Sequence, residues 1–187
     1  MPLVQIIAGS TREGRQSLPI AQWMEAVARK RGDIEVELVD LRAVNLPLFD
    51  EPKHPRFGDY THEHTKRWSA TVKRADGFVF VTPEYNNSFP ASLKNAIDYL
   101  SAEWKYKPAC FVSYGGVAAG TRAVQALRPV FNCFQMVTIY DAVNIPFFTK
   151  YIADGRFSPE EGLEDSARLM LDKLVFWMDR QAPLYER

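Results

Sequence analysis

The stretch ADGFVFVTPEYNNSFPASLKNAIDYLS, Ala75–Ser101, decides the fold. Residues Gly77–Thr82 form an apolar run too short for a helix and without polar alternation, the pattern of a strand buried on both faces. It breaks at Pro83 into a turn with Tyr85, Asn86 and Asn87. A helix is predicted from Ser88 to Ser101, opened by Ser88 and Pro90, with Leu93, Ile97 and Leu100 on one face. A buried strand that feeds a loop and then an amphipathic helix is half of a parallel crossover unit.

The same grammar repeats on either side. Upstream, LVQIIAG (Leu3–Gly9) reads as a buried strand, and SLPIAQWMEAVARKRG as a helix with Ile20, Trp23, Met24, Val27 and Ala28 inward and Gly32 after its end. Ile34–Leu41 alternates apolar and acidic residues like a strand near a sheet edge. Asn45–Thr65 carries three prolines and little periodicity, long for a connection unless it is functional or irregularly folded. A polar helix follows from Glu63 to Ala75. Downstream, Ala109–Tyr114 is a fourth strand, and AGTRAVQALRPVFNCF a helix with Val124, Leu127 and Phe131 inward, kinked or shortened by Pro129. A fifth strand is expected at Met136–Tyr140 and a closing helix from Pro159 to Arg180.

Five buried strands alternating with helices predict an α/β flavodoxin-like three-layer sandwich, a five-stranded parallel sheet in the order 2-1-3-4-5, with residues 1–187 as a single domain. Ligands of such sheets bind beyond the carboxyl ends of the strands, where strand order reverses. Three loops are therefore expected to meet: Gly9–Ser17, Pro83–Phe89 and Gly115–Gly120.

Composition narrows the function classes. The 23 basic and 23 acidic side chains cancel, leaving no net field for nucleic acid or a membrane surface. The N-terminal residues lack the basic and apolar regions of a signal peptide or a membrane span. Cys110 and Cys133 both lie among apolar neighbours and read as buried free thiols. A cytoplasmic setting is the expectation. His62 and His64 form a His-x-His pair, but among carboxylates on a polar segment they read as solvated surface rather than a metal site. Lys94 and Asp98, one helical turn apart, read as an ion pair. The late aromatics Phe147, Phe148, Tyr151 and Phe157 are denser than a loop needs, and suit either a subunit contact or a roof over a ligand.

The three loops carry complementary chemistry. GSTREGRQS runs into a helix N-terminus, where backbone amides, the hydroxyls of Ser10, Thr11 and Ser17, and Arg12 and Arg15 would cradle one phosphate. It lacks the lysine of a triphosphate loop and the full glycine fingerprint of a dinucleotide site; taken alone it equally suits a capped turn. Pro83, Tyr85, Asn86 and Asn87 offer a stiff aromatic edge with polar groups, and Gly115, Gly116 and Gly120 let a ring approach the main chain. Each of these also has a plain turn reading. Together, phosphate at one loop and a flat polar ring between the other two describe a flavin mononucleotide.

GSTREGRQS, PEYNNSFPASLKNAIDYLS and SYGGVAAGTRAVQALRPV, in that order over roughly Val4–Val143, resemble the NADPH-dependent FMN reductase family of flavodoxin-like quinone, azo-dye and chromate reductases. The resemblance implies that Ser10, Arg12 and Ser17 hold the FMN phosphate with help from Arg15. It implies that Pro83, Glu84, Tyr85 and Asn86 border the isoalloxazine ring, and that Ser113, Gly115 and Gly116 line its other edge. Leu18 stands where many relatives have asparagine, at the position that closes the phosphate site. NADPH or NADH would be the co-substrate and a small molecule the electron acceptor, and no catalytic side chain or metal is called for. Homodimers or homotetramers are common among such relatives. Two other classes remain: a flavodoxin-type electron carrier, disfavoured by the zero net charge, and a flavin-free interaction module.

Overall fold

The computed structural model describes residues 1–185. Strands β1 (Leu3–Ala8), β2 (Glu35–Asp40), β3 (Gly77–Pro83), β4 (Ala109–Gly115) and β5 (Val143–Pro146) form one parallel sheet in the order β2-β1-β3-β4-β5. All seven residues of β3 are buried, as befits a central strand covered on both faces. Successive side chains point to opposite sides. Val4, Ile6, Val79, Val81, Cys110 and Val112 enter one core with helices α1 (Ser17–Arg29) and α6 (Glu161–Gln181), while Ile7, Phe78, Phe80 and Phe111 enter the other. That second core is closed by α3 (Glu63–Lys73), α4 (Ala91–Asp98) and α5 (Thr121–Asn132), with the short α2 (Leu41–Val44) beside α4. Its aromatic rings touch in series: Phe131 lies 4.8 Å from Phe80, and Trp104 lies 5.0 Å from Phe78. The buried indoles are satisfied, Trp68 donating to Ala96 O and Trp104 to Ile97 O.

Several local expectations are corrected. The fifth strand is Val143–Pro146, not Met136–Tyr140. Residues 136–140 make only a bridge at Thr138, in which Ala109 N donates to Val137 O and Ile139 N to Ala109 O, and Arg128 donates to the carbonyls of Thr138 and Ile139. Helix α4 starts at Ala91 rather than Ser88, since Ser88 exchanges both backbone hydrogen bonds with Tyr85. Helix α5 runs through Pro129 to Asn132. Cys110 is buried, and burial pushes its thiol well above the usual range, whereas Cys133 is exposed just past the end of α5. Of the late aromatics, Phe157 is buried against Trp23 and Tyr151, and Phe148 packs on Tyr114; only Phe147 projects outward. A two-stranded hairpin, β6 (Ile152–Ala153) and β7 (Arg156–Phe157), carries this packing.

The proline-rich segment 45–62 is pinned by polar contacts. Asn95 accepts the Phe49 amide and donates to Pro47 O, and Glu51 accepts the amides of Thr61 and His62. His64 and Tyr99 both hydrogen-bond Asp50, and the His62 and His64 rings stack at 5.1 Å. Lys94 and Asp98 pair at 2.6 Å. No helix among the described residues is long and apolar enough to cross a membrane.

Two buried features carry measurable consequences. Gly120, at φ +79°, sits where an added Cβ would come within 2.7 Å of Tyr114 N and 2.8 Å of Tyr114 O. Gly120→Ala combines left-handed strain with a backbone clash, so urea unfolding will show a loss of at least about 2 kcal/mol. Lys107 is buried and donates to Val72 O and Lys73 O at the end of α3, and burial lowers its pKa to about 8. The unfolded chain keeps that proton up to the ordinary lysine value and the folded chain does not, so the contribution of Lys107 to stability rises between pH 8 and about 10.5. Measured against Lys107→Met, wild type gains on the order of 2–3 kcal/mol across that window; parallel pH profiles would exclude the effect.

Candidate functional site

The carboxyl ends of β1, β3 and β4 bring the three expected loops together. The first leaves β1 at Gly9, whose amide is bonded to Val81 O, and a Cβ at Gly9 would lie 3.1 Å from that oxygen. Ser92 at the start of α4 donates to Gly9 O, tying this loop to the helix behind the second. Gly14 turns the chain at φ +69° and Gln16 precedes α1 without a side-chain cap. The amides of Ser17 and Leu18 lie in the unsatisfied first turn, which contains no acidic residue. The Leu18 side chain offers no donor, so this position contributes only its main chain.

The side chains divide into two groups. Ser10 and Ser17 are fully buried: the Ser10 hydroxyl lies 2.7 Å from the Tyr85 hydroxyl, and Ser17 Oγ donates to Ser10 O. They brace the loop. Arg12 stays exposed, its guanidinium 5.8 Å from the Tyr85 ring centre. Arg15 is turned inward, one terminal nitrogen bonded to Asp40 at the end of β2, while its Nε is buried with no hydrogen-bond partner among the described residues. An uncovered helix start, an exposed Arg12 and an orphaned buried N–H together suit an anion such as a phosphate monoester. The exposed Glu13 is the one acidic group in the loop.

The second loop answers why two asparagines follow Tyr85. Asn86 and Asn87 have φ of 50° and 67°, and Tyr85 and Ser88 close the turn with bonds of 2.8 and 3.0 Å. Such a two-residue turn needs left-handed backbone at both central positions, which asparagine tolerates. The turn holds Tyr85 against Ser10. Glu84, expected at the ring edge, instead directs its carboxylate to α5: Oε2 accepts the Arg122 amide at 3.2 Å and Oε1 the Arg122 guanidinium at 2.7 Å.

In the third loop Gly115 and Gly116 differ in purpose. A Cβ at Gly115 would sit 3.0 Å from Gly120 N, so this glycine permits the loop's own folding, whereas one at Gly116 would meet nothing within 4 Å. Gly116 is thus the open backbone of the pair. Ser113 is fully buried, its hydroxyl 2.8 Å from Ala119 O and from Asn144 Oδ1; it holds the loop from beneath rather than lining its surface. Phe147 N reaches Gly116 O, adding the chain after β5 to the assembly.

Two site residues escaped sequence reasoning. Arg122 was visible only as one more charge after Gly120-Thr121, with nothing local to say that Glu84 would meet it. Tyr114 alternates inward on β4 and looks like core, yet its hydroxyl faces Ser17. Burial raises its pKa, the neighbouring Tyr85 adds to this, and the Ser17 hydrogen bond with the charges of Arg12 and Arg15 opposes it. Among the described residues no group of three or more His, Cys, Asp or Glu is placed to hold a metal.

Comparison with known proteins agrees with this geometry. A family model described as NADPH-dependent FMN reductase matches residues 2–150. An NAD(P)H-dependent FMN reductase of Schizosaccharomyces pombe is 45% identical over 126 residues, covering 66% of this chain and 63% of that protein, so the chain spans less than two thirds of that relative's length. A quinone reductase of Pseudomonas putida is 32% identical over 187 residues, covering 94% of both chains. Among solved structures, FerB of Paracoccus denitrificans, a flavoenzyme NAD(P)H:(acceptor) oxidoreductase, superposes with a TM-score of 0.75 at 24% identity over 97% of this chain and 99% of that one, which shows a shared fold. With the matching order of strands, the three converging loops and this coverage, the chain belongs to the NADPH-dependent FMN reductase family.

Proposed function

We propose that the chain is an FMN-dependent oxidoreductase that takes hydride from NADPH or NADH and reduces flat or small oxidants: quinone-like compounds, azo dyes, chromate or free flavin. One observation carries this reading above the others: an anion-ready helix start and an open glycine backbone sit on opposite sides of a tyrosine-bearing turn at the strand-order switch. A phosphate at one end and a ring at the other match that spacing of chemistry.

In this reading Arg12 and the amides of Ser17 and Leu18 bind the FMN phosphate, with Arg15 Nε as a further donor. Ser10 and Ser17 shape the loop around it through their buried hydroxyls. Pro83, Tyr85 and Asn86 border the isoalloxazine ring on one side and Gly116 leaves room on the other, while Ser113, Gly115 and Glu84 hold those edges in place. FMN, when bound, supplies hydride acceptance from the nicotinamide and onward electron transfer. The protein's part is orientation and exclusion of water, so no single side chain carries the bond changes. The names of relatives, including a quinone reductase of Pseudomonas putida and an NADPH azoreductase of a Bacillus strain, support acceptors that are flat and conjugated. A homodimer or homotetramer fits the exposed Leu48, Phe49 and Phe57 on the proline-rich segment.

The experiment is spectroscopic. Purified protein supplied with FMN and freed of excess will show flavin absorbance, and NADPH will bleach it until a quinone restores it. Bound flavin that NADPH leaves oxidised would favour an electron carrier, and no retained flavin would favour an interaction module. Arg12→Ala removes a charge-assisted phosphate contact and will weaken FMN binding by roughly tenfold to a hundredfold in Kd, measured by fluorescence quenching. Turnover of the flavin-saturated variant stays within a few-fold of wild type. Equal FMN affinity in the two proteins would refute the phosphate assignment.

A further inference from the structure

Glu84 stands between the last residue of β3 and Tyr85, and Arg122 is the second residue of α5, just beyond the glycine loop. They close a lock across the mouth of the site. Glu84 accepts both the Arg122 amide and its guanidinium, and the same guanidinium nitrogen reaches Asn87 Oδ1 at 3.1 Å, on the far arm of the turn. Helix α5 has no cap from Gly120 and no acid in its first turn, so the capping carboxylate comes from another loop. The Glu84 side chain is 11% exposed and that of Arg122 54%. The carboxylate is therefore the more desolvated partner and depends on the arginine for compensation.

We propose that Glu84 and Arg122 are a positioning pair that sets the gap between the second and third loops and keeps the charge beside the ring site neutral, thereby tuning which redox state of FMN the protein holds more tightly. The inference rests on the FMN reading above. A hydride leaving NAD(P)H carries two electrons and one proton, so NAD(P)⁺ departs and the flavin side gains one negative charge. An unpaired Arg122 favours that added charge and an unpaired Glu84 opposes it. The lock as built does neither, while its three hydrogen bonds keep the slot at one width.

The test uses opposite signs. Kd for oxidised FMN is measured in air by fluorescence quenching, and Kd for reduced FMN anaerobically by titration, in wild type, Glu84→Gln, Arg122→Gln and the double variant; by linkage the ratio reports the redox bias. Glu84→Gln should tighten reduced relative to oxidised FMN by on the order of tenfold, and Arg122→Gln should shift the ratio by a similar factor the other way. The double variant, again uncharged, should return to within about twofold of wild type. If Glu84→Gln fails to fold by circular dichroism, Arg122→Gln and Arg122→Lys carry the test, since the ratio must move in the first and stay in the second. Both single variants shifting the ratio the same way, or weakening both redox states alike, would reduce the pair to scaffolding and overturn the proposal. Wild type that binds no FMN would overturn the functional reading and this inference together; wild type that binds FMN with unmoved ratios overturns the inference alone.

Discussion

Burial of β3 on both faces is the constraint from which the site follows. A strand packed between two helical layers has nowhere along its length for a polar side chain without a partner, and its residues from Gly77 to Val81 carry none. Functional groups are therefore pushed to its end, where Thr82 and Pro83 complete the strand and Glu84 leaves the sheet. The neighbouring strands β1 and β4 admit buried polar side chains, Gln5 and Ser113, and their ends lie beside that of β3 in register. Three loops converge because three strands run out of core at the same level.

What makes the convergence a site is that the loops satisfy one another. Tyr85 reaches Ser10, Ser92 reaches Gly9, Glu84 reaches Arg122 and Phe147 reaches Gly116. Each contact joins two chain segments far apart in sequence. Ligand binding to such a surface asks for little rearrangement, and less ordering entropy is lost than with free loops. The same mutual bracing explains why several polar residues at the site are fully buried: they face other loops.

Periodicity made the sheet readable, because Leu3–Ala8, Gly77–Thr82 and Ala109–Tyr114 are mostly apolar, without polar alternation, and are each followed by a loop and a helix. The fifth strand was misread for a reason of the same kind. Its true residues, Val-Asn-Ile-Pro, are few and include a polar residue and a proline, while the more apolar Met136–Tyr140 meets the sheet only at Ala109, the start of β4. At the site, the turns at Gly9 and at the Asn86–Asn87 pair were legible because turn chemistry is local. The destinations of Arg15 and Glu84 were not, since Asp40 and Arg122 lie 25 and 38 positions away and no local pattern announces a partner at that distance. Cys133 was misjudged from apolar neighbours; a helix end exposes a residue whatever surrounds it in sequence.

The two thiols acquire a meaning under the proposal that quinones are the acceptors. Quinones are electrophiles that alkylate sulfur, and an enzyme that gathers them concentrates a poison for its own cysteines. Cys110 is sealed within the sheet as an unionised thiol, out of reach of attack. The exposed Cys133 lies past the far end of α5, whose first residues border the loops, and a 12-residue helix separates the two by about 18 Å. The loop cluster therefore lies apart from both sulfur nucleophiles, one sealed in the core and the other at the opposite end of α5.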